Sequence, residues 1–185
     1  MKFFRNIVSG VFIATAIAFS SCGQPPVKLP ELPLERVTPY FSEAAEVQTI
    51  DTSYYQVKNA QGELIGTLLF SMPYAEAVKG YNGNTPLVIA IDAEGHIKKV
   101  VVLPNHETPR FAERVESGGL YQSWDGLTVE EALAKPVDAI SGATYTSNGV
   151  KNTLAVRLQA YQRQLQKDYS TQPNFWQRIF GKLMK

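Results

Sequence analysis

The sequence has a single cysteine, Cys22, and only two histidines, His96 and His106, among 185 residues. One cysteine excludes an internal disulfide, and it excludes an iron–sulfur cluster or a zinc site built on cysteine thiolates. Two isolated histidines do not make a convincing metal site, because they bring too few ligands together. Any redox chemistry must therefore come from an organic cofactor that the protein binds.

The chain also lacks an excess of charge of either sign. It has 18 Lys and Arg against 17 Asp and Glu, and its formal net charge is +1. A nucleic-acid-binding protein needs a basic surface to neutralise phosphates, so we expect no nucleic-acid partner. The hydrophobic content of 44% with 19% charged residues is typical of a globular protein. The length suits one well-buried domain.

The N-terminal apolar run, Ile7–Phe19, is shorter than the roughly 20 residues that a spanning helix needs. It follows a short basic segment and ends in Ser-Ser-Cys-Gly, which is the layout of a bacterial secretion signal. Because Cys22 follows small residues, the segment also resembles a lipoprotein signal, in which that cysteine becomes the lipidated first residue. We predict a signal peptide over residues 1–21 and an exported protein with a lipid anchor on the extracytoplasmic face of the envelope membrane. An uncleaved anchor is the alternative.

Prolines dominate the segment after Cys22 and predict an extended tether over residues 22–39, at about 3.1 Å per residue. The globular domain is expected over residues 40–168. The C-terminal tail, residues 169–185, has apolar residues at helical spacing and a basic polar side. Such a helix lies on a membrane surface, docks onto a partner or packs on its own domain.

Two pairs of apolar and β-branched segments predict hairpins. They are Tyr54–Val57 with Leu64–Phe70, and Leu87–Ile91 with Ile97–Leu103, and each pair flanks a polar turn that ends in glycine. The second pair is continuously apolar rather than alternating, so the sheet should be covered on both faces or lie centrally.

Helices are expected on both sides of a short connecting strand. The sequence predicts helices over Phe41–Val47, Pro109–Glu116 and Thr128–Leu133, and a short strand over Val137–Ile140. Together with the two hairpins, they predict an α+β fold, an antiparallel sheet with helices packed on it.

A turn of small residues, Ser141-Gly142-Ala143, precedes a run of hydroxyl residues and a strongly amphipathic helix. The apolar face of that helix consists of Val150, Leu154, Leu158, Tyr161 and Leu165. Its start is expected among the good N-cap residues Thr146, Ser147 and Asn148. Free backbone N–H groups and the helix dipole would then lie beside Thr144, which suits a phosphate. On spacing alone, an ordinary capped turn explains the segment at least as well.

Asp138, two variable residues and Ser141-Gly142-Ala143-Thr144 resemble the flavinylation motif of the FMN-binding domain family. That family includes the C subunit of the sodium-translocating NADH:quinone oxidoreductase and the G subunit of the Rnf electron-transport complex. The resemblance implies FMN joined to the Thr144 hydroxyl through a phosphoester, installed by a flavin transferase that uses FAD. It implies that Ser141, Gly142 and Ala143 surround the phosphate, that Thr146 is a cap or phosphate contact, and that Asp138 orders the turn or is read by the transferase.

Two upstream segments strengthen the resemblance. His106-Glu107-Thr108-Pro109 is similar to a family segment, although Arg110-Phe111-Ala112 stand where the family has Gly, Leu and Gly, and Gly80-Tyr81-Asn82-Gly83 is similar to a Gly-Tyr-x-Gly turn. Glu107 and Thr108 are expected to hydrogen-bond the flavin or to fix its loop, and His106 is expected to contact the site or be structural. Tyr81, Tyr145 and Trp124 either stack on the isoalloxazine ring or belong to the core.

We therefore predict a membrane-tethered flavoprotein that transfers electrons with covalent FMN, as part of or alongside a respiratory or Rnf-like chain, and that exchanges electrons with partner proteins. The sequence shows no Ser-His-Asp order, paired catalytic carboxylates or phosphate-binding P-loop, so we favour an electron-transfer subunit over a free-standing enzyme. Two alternatives stay open. One is a scaffold or binding lipoprotein of the same fold without flavin, and the other is an extracytoplasmic FMN-dependent reductase.

Overall fold

The computed structural model describes residues 31–171. The predicted signal peptide, Cys22, the first part of the predicted tether and residues 172–185 of the tail lie outside the described residues. The second part of the predicted tether is packed. A short 3₁₀ helix, Leu34–Arg36, leads to Val37 and Phe41, both of which are buried against the sheet. Residues 34–37 therefore belong to the packed structure rather than to an extended tether.

Five strands form one antiparallel sheet in the order of the chain. They are β1 (Glu46–Asp51), β2 (Tyr54–Lys58), β3 (Leu64–Phe70), β4 (Leu87–Asp92) and β5 (Ile97–Val102). Both predicted hairpins are present, and β3 pairs with β4 to join them. The predicted α+β class is confirmed.

Strand β4 shows why its sequence is continuously apolar. Successive side chains of a strand point to opposite faces of the sheet. Leu87, Ile89 and Ile91 lie in the main core, whereas Val88 and Ala90 lie in a smaller cluster on the other face. The sheet is thus covered on both faces at this strand, as predicted.

Three α-helices follow the sheet: α1 (Pro109–Ser117), α2 (Val129–Ala134) and α3 (Thr144–Thr171). The first two begin and end within one residue of the predicted bounds. Helix α2 begins with a capping box, in which the Thr128 hydroxyl accepts from the Glu131 backbone N–H and the Glu131 carboxylate accepts from the Thr128 N–H. Helix α3 buries the predicted apolar face against the sheet. No helix in residues 31–171 has the length and apolar composition of a membrane span.

The helix predicted over Phe41–Val47 is wrong. Residues 41–45 are irregular, and β1 begins at Glu46. The side chains of β1 alternate between exposed and half-buried because the strand lies at the edge of the sheet, paired only with β2. That alternation is typical of an edge strand and carries little apolar signal.

The strand predicted over Val137–Ile140 is also wrong, because these residues form an irregular loop. The outer edge of β5 pairs at its first residue with the segment before α2, since the Ile97 N–H donates to the Leu127 carbonyl and the Gly126 N–H donates to the Ile97 carbonyl. The end of the loop bonds to α3 instead, because the Ile140 N–H donates to the Ser147 hydroxyl.

The start of α3 differs from the prediction as well. The helix begins at Thr144 rather than among Thr146, Ser147 and Asn148. The Ser147 hydroxyl donates back to the Ala143 carbonyl, and the Ile140 N–H donates to the same hydroxyl. Ser147 thus ties the preceding loop to the first turn of the helix instead of capping it.

Candidate functional site

A surface cleft forms where three segments distant in sequence meet: the loop 80–83, the start of α1, and the turn that leads into α3. Its volume is about 190 Å³. Its lining residues are Tyr81, Phe111, Gly142, Ala143, Thr144, Tyr145 and Thr146. Five of these seven residues come from one short stretch around the predicted attachment point.

Thr144 is exposed in this cleft as the first residue of α3. The backbone N–H groups of Thr144, Tyr145 and Thr146 have no hydrogen-bond acceptor in the part of the chain that the structure describes. Unpaired N–H groups in the first turn and the positive end of the helix dipole favour an anion at this position. A phosphate joined to the Thr144 oxygen would lie in that environment.

The turn before Thr144 requires a glycine. Gly142 has a φ of +76°, which side chains rarely adopt. A Cβ atom on Gly142 would also lie 2.5 Å from Nη1 of Arg114. The Arg114 side chain, which extends from α1, therefore occupies the space that the glycine leaves open. Its Nη1 donates to the Ser141 carbonyl oxygen at 3.3 Å.

Sequence analysis did not identify Arg114 or Phe111 as site residues. They are three positions apart on α1, so they share one face of that helix. Phe111 belongs to the segment that departs from the family pattern, and in the structure its ring lines the cleft. The three-residue spacing of Phe111 and Arg114 identifies them as neighbours, but it indicates a role at the site only once α1 is known to border the cleft.

Glu107 holds the loop 80–83 and does not face the open cleft. Only 6% of the residue is exposed. Its Oε1 accepts from the backbone N–H groups of Asn82 at 2.8 Å and Gly83 at 3.0 Å, and its Oε2 accepts from that of Tyr81 at 3.1 Å. The Thr146 hydroxyl also donates to Oε2. Of the two expected roles, fixing the loop is the one that the contacts fit.

The loop also packs directly on α3. A Cβ atom on Gly149 would lie 2.6 Å from Cα of Gly80, and a Cβ atom on Gly80 would lie 2.7 Å from Oε1 of Glu107. The backbone approach requires glycine at position 149, whereas the buried Glu107 carboxylate limits the space at position 80. Together with Glu107, these contacts fix the position of Tyr81 relative to Thr144.

Three aromatic rings border the cleft. The Tyr81 ring packs edge-to-face on Phe111, with centroids 4.9 Å apart, and lies 6.4 Å from the Tyr145 ring. Tyr81 is 59% exposed and Tyr145 is 71% exposed, so both rings can take up a flat aromatic ligand. Trp124, by contrast, is buried in the main core, as the core alternative for that residue expected.

The remaining predicted residues lie around the cleft rather than in it. His106 is exposed, and its carbonyl accepts from the Asn82 side chain at 2.7 Å. The Thr108 carbonyl accepts from the first N–H groups of α1, and its side chain makes no cap bond. Ser141 and Asp138 are exposed in the loop before α3. The described residues include no group of three or more His, Cys, Asp or Glu that could hold a metal ion.

An anion-suited helix start beside exposed aromatic rings is the arrangement of a domain that binds a phosphorylated aromatic cofactor. Comparison with known proteins agrees with this arrangement, because residues 80–159, just under half of the chain, match the model of the FMN-binding domain family. This is the family that the sequence resembles at its motifs. Every lining residue of the cleft lies within the matched range.

Two curated relatives agree with this assignment. The chain is 35% identical over 107 residues to the G subunit of the ion-translocating oxidoreductase complex of Stutzerimonas stutzeri, covering 51% of this chain and 47% of that protein. It is 25% identical over 116 residues to the G subunit of the Na(+)-translocating ferredoxin:NAD(+) oxidoreductase complex of Acetobacterium woodii, covering 57% and 54%. The chain thus spans about half the length of these relatives.

Proposed function

We propose that this protein is an electron-transfer flavoprotein that carries FMN on Thr144 through a phosphoester bond. The observation that supports it most strongly is the exposed Thr144 hydroxyl, which lies among unpaired helix N–H groups in a cleft bordered by aromatic rings. When bound, FMN supplies the electron chemistry, and the protein supplies attachment, orientation and electrostatics.

The only group that the protein itself must supply for attachment is the Thr144 hydroxyl. The Thr144 oxygen attacks the phosphorus on the flavin side of FAD, a P–O bond forms, and the pyrophosphate bond to the AMP leaving group breaks. The hydroxyl proton is released, and no oxidation or reduction takes place. A flavin transferase is the partner proposed for this step, and the exposure of Thr144, Ser141 and Asp138 leaves the turn open to it.

The cleft favours electron transfer over reduction of an enclosed substrate. Its volume of about 190 Å³ is smaller than the roughly 300–1,000 Å³ of typical small-molecule pockets. Tyr81 and Tyr145 would hold a flavin ring against the surface rather than inside a deep pocket. We therefore propose that the redox partners are proteins, by analogy with the subunits of oxidoreductase complexes to which the chain is similar.

The scaffold alternative loses its main support. It depended on the departure at Arg110-Phe111-Ala112, which suggested a damaged flavin contact. Since Phe111 lines the cleft and packs on Tyr81, the departure adds an aromatic wall to the site. The reductase alternative needs space for a substrate over the ring, and a small-molecule turnover assay would reveal it.

The proposed location is the extracytoplasmic face of a bacterial membrane, with a lipid on Cys22. A covalent cofactor fits that location, because a free flavin would be lost by diffusion. If the anchor is the lipid, wild type should take up radioactive palmitate in cells and the Cys22→Ala variant should not. A wild-type protein that stays in the membrane fraction without the label would favour an uncleaved anchor.

The decisive test is the intact mass of the full chain, expressed with its signal and a flavin transferase. Wild type should gain the mass of one FMN less water on the peptide that contains Thr144, and Thr144→Val should gain nothing. Thr38→Val is the matched control, because Thr38 is an exposed hydroxyl residue remote from the cleft in sequence and absent from its lining. An unmodified wild-type mass without flavin absorbance would refute the proposal.

A further inference from the structure

The Arg114 guanidinium lies against the turn that precedes Thr144, and no part of the family resemblance includes it. Its contact with Gly142 is so close that a side chain at that position would displace it. The glycine therefore has a second role besides its backbone conformation. It admits a positive charge next to the start of α3.

Arg114 has most of its hydrogen-bonding capacity to spare. A guanidinium carries five N–H donors, and the bond to the Ser141 carbonyl is its one side-chain hydrogen bond to the described residues. None of the carboxylates in residues 31–167 forms an ion pair with it. The side chain is exposed, so water meets these donors in the unmodified protein. An anion at the positive end of the helix would be a stronger acceptor for them.

From this geometry, and resting on the proposed attachment of FMN to Thr144, we propose that Arg114 binds the phosphate of the threonine ester. The Ser141 bond holds the guanidinium beside the turn, and its remaining donors face a phosphate through planar, charge-assisted hydrogen bonds. The helix N–H groups would complete the set of donors from the other side.

The phosphate role and a purely structural role predict different results. If Arg114 only supports the turn through Ser141, replacing it lowers the stability of the unmodified and the FMN-carrying protein equally. If it binds the phosphate, the loss is confined to the FMN-carrying form. The measurement is therefore the thermal midpoint of both forms of each variant, at low and at high NaCl concentration.

Arg114→Gln is the main variant, and Arg114→Lys keeps the charge without the planar donors. Arg110→Gln is the matched control, because Arg110 is an exposed arginine one turn earlier on α1, and the hydrogen bond and close contact with the turn 141–142 belong to Arg114. In wild type and Arg110→Gln, attachment of FMN should raise the midpoint. In Arg114→Gln that rise should be smaller by about 2–4 °C, with an intermediate value for Arg114→Lys. The difference should shrink at high salt.

Mass spectrometry of the same samples separates the two proposals. A wild-type protein that gains no FMN mass refutes the attachment itself. Suppose instead that wild type carries FMN, and that attachment raises the thermal midpoint of Arg114→Gln as much as that of Arg110→Gln. This result refutes the role of Arg114 and leaves the attachment standing. An equal loss in the loaded and unloaded forms of Arg114→Gln would also refute it, because it would show a structural role only.

Discussion

Replacing Glu107 with glutamine should destabilise the domain by an amount that its contacts allow us to estimate. The carboxylate is buried and accepts three backbone N–H groups of the loop 80–83, as well as the Thr146 hydroxyl. Two of the N–H groups share Oε1, and the third shares Oε2 with the hydroxyl. Glutamine has nearly the same size but offers only one acceptor oxygen.

The more favourable orientation of the glutamine keeps its oxygen at the position of Oε1. Its NH₂ group then faces the Tyr81 N–H, and that partly buried donor loses its acceptor. The loss of this charge-assisted bond costs about 1–3 kcal/mol, and the two retained bonds weaken because they are no longer assisted by charge. We expect Glu107→Gln to lower the free energy of unfolding by about 2–4 kcal/mol in total.

Urea denaturation followed by far-ultraviolet circular dichroism measures this difference through the transition midpoint. Glu113→Gln is the control, because Glu113 is exposed on α1 and its replacement should change the free energy of unfolding by less than about 0.5 kcal/mol. If the two variants unfold at the same urea concentration, the carboxylate does not hold the loop as described. Thr146→Val should give a non-additive result with Glu107→Gln, since the two side chains share one hydrogen bond.

Three further substitutions test other contacts. Gly149→Ala should lower the free energy of unfolding by about 1–3 kcal/mol, because its Cβ would lie 2.6 Å from Cα of Gly80, and an unchanged denaturation midpoint would contradict that approach. Arg157→Leu should cost about 2–4 kcal/mol in the same assay, because this fully buried side chain donates to the Phe70 and Ser53 carbonyls and both of these hydrogen bonds would be lost, and a neutral result would contradict its burial. Burial raises the pKa of Tyr161 above its ordinary value of 10.0, so ionisation above pH 10 favours the unfolded chain and stability should fall with rising pH there. Tyr161→Phe should reduce that slope in alkaline denaturation, and an unchanged slope would show that Tyr161 does not cause it.

The hairpins and the two short helices could be predicted because their signals are local. Turn residues flank each strand pair, and Pro109 and Thr128 mark the helix starts by their own chemistry. Helix α2 begins with a capping box that the sequence carries within four consecutive residues. Such features need no information from the rest of the fold.

Two differences concern the partner that a hydroxyl group binds. Ser147 was expected to cap α3, but its hydroxyl bonds the loop residues Ile140 and Ala143 instead. Thr146 was expected to cap the helix or contact a phosphate, and its hydroxyl bonds Glu107, which is remote in sequence. Residue type predicted that these hydroxyls form local hydrogen bonds, but not which acceptor they find.

The turn before Thr144 could be recognised from a motif, whereas the α1 residues beside it could not. Phe111 lines the cleft, and Arg114 contacts the turn, only because α1 packs beside that turn, and this packing is a tertiary arrangement without a local signal. The family pattern has a leucine at the position of Phe111, so it indicates an apolar residue there but not an aromatic ring. A motif identifies the residues that a family shares, and the residues particular to one chain need the fold.

The size of the cleft bears on how a flavin would be retained. A cleft of about 190 Å³ buries only part of a flavin, so apolar contacts with Tyr81 and Tyr145 cannot supply the affinity of a deep pocket. Deepening it would enclose the ring and slow electron exchange with a protein partner. A bond from Thr144 to the phosphate resolves this conflict, because retention then depends on one covalent link and the ring can stay near the surface. On the proposed function, the open cleft and the covalent attachment therefore require each other.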